Sequence, residues 1–101
     1  QKARGHIMAY AAISHWKATE WTDEMEAIAR DTFVPLILSV GAQRVQMIRT
    51  GDLTFSVVTE YADEAAAQAA QDRIAEIRAK AANELPMSMT ETSTGDVFAS
   101  G

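Results

Sequence analysis

An α+β fold with its elements in the order β-α-β-β-α-β is what this sequence predicts, and three observations predict it. Strand-like alternation opens the pattern at Met8–Lys17. Helical stripes with capping residues occupy Asp23–Val40 and Asp63–Leu85. Between them the Thr50-Gly51-Asp52 turn joins two alternating runs, Gln43–Arg49 and Leu53–Tyr61, and a last run follows near Met87–Thr94. This order is the split βαβ, or ferredoxin-like, arrangement.

Each element has its own local reason. Tyr10, Ala12, Ser14 and Trp16 share one face of the first strand, and Ala11, Ile13 and His15 share the other. Neither face is polar, the pattern of a strand covered on both sides. Thr22 or Asp23 can cap the first helix, and Asp23 with Glu26 has capping-box spacing. Met25, Ile28, Ala29, Thr32, Leu36 and Val40 fall on its apolar stripe. Pro35 lacks a backbone donor and should kink or break that helix near Asp31, and Gly41 suits its C-terminal end. In the hairpin, Val57-Val58 is apolar on both faces, which points to a central strand. Asp63 caps the second helix, whose stripe is Ala66, Ala70, Ile74, Ile77 and Ala81, and Pro86 stops it.

Composition narrows the classes. A chain of 101 residues, 48% hydrophobic and 23% charged, reads as one globular domain. Residues 1–7 (QKARGHI) stay outside the pattern and read as an appended leader, with the native start at Met8. The domain is then 8–98, with 99–101 as a tail. Setting aside Lys2 and Arg4 takes the net charge from −5 to −7. An acidic surface repels phosphate backbones, so no nucleic acid is expected as partner. No run approaches the ~18 apolar residues of a membrane span. The chain has no cysteine, which rules out disulfides, thiolate metal sites and thiol nucleophiles and suits a cytoplasmic location. No dinucleotide, P-loop, HExxH or EF-hand motif appears, so neither cofactor nor metal is called for.

Two helices on one face of a four-stranded antiparallel sheet leave the other face to be explained. Its central positions are mostly uncharged. The expectation is a homodimer in which two such faces meet across a two-fold axis and close a barrel.

The stretches LILSVGAQRVQMIRTGD and TFSVVTEYADEAAAQAA, with the element order, resemble the dimeric α+β barrel superfamily over Met8 to about Phe98. The TFSVVTEYADEAAAQAA stretch is similar to the strand-to-helix passage of antibiotic-biosynthesis-monooxygenase-like and stress-responsive barrel families. The resemblance implies a homodimer with one cleft per subunit between sheet and helices. It implies either a cofactor-independent monooxygenase- or isomerase-like enzyme acting on a small aromatic or polyketide-like molecule, or a non-catalytic ligand-binding or stress-associated homodimer. The haem-degrading branch carries a histidine on its second helix. Asp63–Leu85 has none, and Asn83 is the lone asparagine, so the resemblance does not extend to haem.

His15 is the candidate catalytic residue, a general base, or else a structural histidine at the sheet edge or interface. Trp16, Trp21, Phe33 and Met47 are candidate walls for a small organic ligand, or else ordinary core. Trp21, just ahead of the first helix, could staple that helix or gate a pocket mouth. Arg44 and Arg49 lie on opposite faces of their strand. Arg44 is the candidate anion-holder, with a carboxylate such as Glu60 or Glu91 as the alternative partner.

Overall fold

The computed structural model describes residues 8–101, so the expectation of an appended leader at 1–7 lies outside the described residues. The strands are β1 (Tyr10–Ala18), β2 (Arg44–Arg49), β3 (Thr54–Tyr61) and β4 (Met87–Asp96). Helices α1 (Asp23–Ile28) and α2 (Val34–Ser39) flank a π-helical turn, Ala29–Phe33, and α3 spans Glu64–Glu84. All neighbouring strands pair antiparallel in the order β2-β3-β1-β4. The fold is thus ferredoxin-like, with β1 and β3 central as their apolar faces require. The long helix lies over β4, β1 and β3, while α2 packs on β2.

Pro35 explains the interrupted first helix. Its ring has no N–H and would crowd the carbonyl four residues back. The chain answers with a π turn, in which the Val34 N–H bonds to the Ala29 carbonyl. The wider turn advances the buried face by one residue. Met25, Phe33 and Ile37 are the buried positions, whereas Thr32 is exposed and Leu36 and Val40 are only half-buried. The stripe expected through Thr32 is corrected accordingly. Thr22 is the cap: its hydroxyl accepts from Met25 N at 3.1 Å. Gly41, at φ 114°, closes α2 in a conformation that only glycine adopts freely.

In α3 the buried residues Ala70, Ile77 and Ala81, with Ala66 and Ile74 partly buried, follow the expected stripe. Small side chains let this helix approach the sheet closely. Asp63 Oδ1 accepts from Ala66 N at 2.8 Å. Asp63→Ala should lower folding free energy by about 1 kcal/mol in urea titrations; no change would mean that the cap contributes nothing.

The layers follow from strand parity. Ser14, Trp16 and Ala18 of β1 and Phe55, Val57, Thr59 and Tyr61 of β3 are buried under the helices. On the open face the register sets Ile13 beside Val58, and His15 between Ser56 on β3 and Glu91 on β4. A bulge in β4 breaks that register between His15 and Trp16. There the Thr90 hydroxyl donates to the His15 carbonyl at 3.2 Å.

Candidate functional site

The space between sheet and helices is divided into two adjoining chambers. The inner one, of about 60 Å³, is walled mostly by buried residues, among them Trp16, Phe33, Phe55 and Ile77. The outer one, of about 310 Å³, lies among Trp21, Met25 and the exposed Glu26, Arg30 and Arg49. Ala29, Met47, Phe55 and Met87 line both, so the chambers meet along these residues. Small-ligand pockets begin at about 300 Å³, so only the outer chamber has room for a ring.

An aromatic row runs along the chambers. Phe55 stacks on Trp16 with centroids 5.9 Å apart and planes at 10°, and Trp21 meets Phe55 edge-on at 5.7 Å and 72°. The row is held by polar ties at its ends. Trp16 Nε1 donates to Ser14 Oγ at 2.9 Å, and Trp21 Nε1 donates to Glu26 Oε2 at 2.6 Å. Glu26 therefore reaches back to an indole, not to a backbone N–H as a capping box would. The Arg49 guanidinium covers the outer face of Trp21 at 4.4 Å from the ring centroid. It is fixed there by donating to the Gly51 and Asp52 carbonyls at 3.2 and 2.7 Å. A Cβ on Gly51 would come within 2.7 Å of Thr54 Oγ1, so a larger residue there would have to displace the hydroxyl that bonds to Thr50. Trp21 is thus tied to α1 through Glu26 and lines the outer chamber.

The residues singled out in the sequence divide between the two faces. Trp16, Phe33 and Met47 line the inner chamber; Trp21 and, again, Met47 line the outer one. His15 and Arg44 lie on the opposite side of the sheet. His15 Nδ1 and Ser56 Oγ share a hydrogen bond of 2.8 Å there, and strand alternation keeps the imidazole away from its neighbour Trp16. Arg44 is paired in register with Glu60, yet the two make no ion pair among the described residues. The cation that β2 does bring to the chambers is Arg49.

Sequence reasoning missed Arg78. It lines the inner chamber from α3, half-buried, beside Ile74, Ile77 and Ala81. Burial pushes its pKa below the usual arginine value, with Tyr61 acting in the opposite sense. Tyr61 is only 2% exposed. Burial raises its pKa, and Arg78 opposes the rise. The signal was present: position 78 lies four residues from Ile74 and three from Ala81, on the buried stripe, where an arginine is out of place.

Among the described residues no three metal-ligating side chains come together, and no helix is long and apolar enough to cross a membrane.

Fold and chambers together define a ferredoxin-like α+β domain, and comparisons with solved structures agree. The chain is similar to a protein of unknown function from Nitrosomonas europaea, with a TM-score of 0.66, 25% identity and 96% of each chain covered. It is also similar to a dimeric ferredoxin-like protein from an uncultured marine organism, with a TM-score of 0.60 and 13% identity over 93% of this chain and 91% of that one. No family model and no curated protein matches the chain.

Proposed function

We propose that this protein is a non-catalytic, small-ligand-binding homodimer of the dimeric α+β barrel type, taking a planar organic molecule beneath its helices. The observation that carries this reading is the outer chamber, large enough for one ring and walled by Trp21, Phe55, Met25 and Met47. A monooxygenase- or isomerase-like step would need a general base at the bound molecule. His15, the base the sequence offers, faces the other side of the sheet, so binding without turnover is the better-supported reading.

The dimer rests on the open face. Ala11, Ile13, Val58 and Ile48 lie there, with Ile48 46% exposed. Phe98, just past β4, is 89% exposed in a lone subunit. The marine neighbour is itself described as dimeric.

Trp21 is a built-in reporter of occupancy. Titration with a panel of uncharged, anionic and cationic naphthalene derivatives should quench its fluorescence saturably and raise the melting temperature. If no member of the panel does either at millimolar concentration, the binding reading is wrong.

A further inference from the structure

Arg78 occupies a place where α3 has no structural use for charge. It belongs to the helix face that buries Ile77 and Ala81, and it lines the inner chamber with them. Among the described residues the ion pairs are Arg30–Asp31 and Lys80–Glu84, so no carboxylate neutralises Arg78. The other two arginines at the chambers are engaged: Arg30 with Asp31, and Arg49 with the hairpin carbonyls. A cation drawn even partly out of water without a counter-charge is destabilising, and a bound anion would relieve it.

The chamber around it presents hydrogen-bond donors and no anion. Ser14 and Thr59 are buried, and both line it. Ser14 Oγ accepts from Trp16 Nε1, which leaves its own proton to give. The one carboxylate lining either chamber is Glu26, at the outer rim, already accepting from Trp21.

The two volumes then fix an orientation. About 60 Å³ is space for only a few waters, since one needs ~10–15 Å³ in the same measure. That suits a carboxylate and lies far below the ~300 Å³ at which ligand pockets begin. About 310 Å³ next door admits the ring.

We infer that the ligand is an aromatic carboxylate. Its ring lies in the outer chamber against Phe55, Met47 and Trp21. Its carboxylate reaches past the residues common to both chambers into the inner one, where the Arg78 guanidinium, helped by the Ser14 and Thr59 hydroxyls, holds it. A guanidinium presents parallel N–H donors to a carboxylate, which gives direction as well as charge. This inference rests on the binding reading above and adds the charge, the anchor and the orientation.

The test compares 2-naphthoate, 2-naphthamide and 2-naphthylmethylamine by calorimetry and Trp fluorescence on the full chain, then repeats it with Arg78→Met and Arg78→Lys. The unaltered protein should prefer the acid over the amide by at least about tenfold, the scale of one hydrogen bond to a charged group. Arg78→Met, which keeps the apolar stem, should abolish that preference without weakening the amide, and Arg78→Lys should restore part of it. Equal binding of acid and amide by the unaltered protein, which needs no variant, would overturn the anchor while leaving ring binding standing. Binding of none of the three would remove the binding reading itself, and the anchor with it.

Discussion

Phe55→Ala should cost about 3–5 kcal/mol of folding free energy, a large part of the ~5–15 kcal/mol that holds a domain of this size. Phe55 is buried on β3, pressed flat against Trp16 on one side and met by the edge of Trp21 on the other. Among the described residues no other ring meets both indoles in this way. Truncation therefore removes two aromatic contacts, each worth ~0.5–1.5 kcal/mol beyond the area it hides. It also widens the junction of the two chambers, since Phe55 lines both. The ties of Trp16 to Ser14 and of Trp21 to Glu26 oppose collapse into the gap. Urea denaturation followed by circular dichroism measures the cost. Met47→Ala gives a useful contrast. It lines the same junction but is only half-buried and stacks on no ring, so its cost should be clearly smaller. A loss below about 1 kcal/mol for Phe55→Ala would mean that the aromatic row is not the centre of the core.

How much of this was legible in the sequence depends on the range of the interaction concerned. Strand and helix order follows from period-2 and period-3.6 patterns and from caps such as Asp63, which act within a few residues. The effect of Pro35 was legible in position and not in form. Its missing N–H announces a defect near Asp31, but whether the helix kinks, breaks or widens depends on how Phe33 and Ile37 pack against the sheet. The opposed faces of His15 and Trp16 were equally plain from alternation. Which face takes the helices was not, since neither face of β1 is polar and the decision lies with the crossover through α1 and α2. Arg44 and Arg49 pose the same problem on β2, and the face shared with Phe55 and Val57 gives the chamber to Arg49. Arg78 stood on the expected stripe of α3 between Ile74 and Ala81, yet only the empty space beside it gives that arginine a meaning.

In the proposed open-face dimer, a charge at the centre of that face should abolish pairing and leave the subunit folded. Ile13 and Val58 are register partners on the two central strands, so Val58→Lys puts an ammonium in the middle of the patch. In a lone subunit that position is half-exposed, and the lysine can reach water along its own stem. The Trp16–Phe55 stack lies on the other side of the sheet and is untouched. In a two-fold dimer the same substitution occurs twice. Two like charges are then confined between sheets, with no carboxylate on the patch directly beside them, since Glu60 and Glu91 stand in other cross-strand rows. Burying an unpaired charge costs several kcal/mol, and at ~1.4 kcal/mol per factor of ten this weakens association by more than about a hundredfold. Sedimentation should accordingly move from twice the 11.0 kDa chain mass to that of a single chain at micromolar concentration. The concentration dependence of the melting temperature should vanish with it. Ala75→Lys, on the exposed side of α3, carries the same charge and should leave the dimer intact. An unaltered protein that already sediments as one chain would refute the open-face dimer outright. A Val58→Lys protein that stays paired would move the interface away from this sheet.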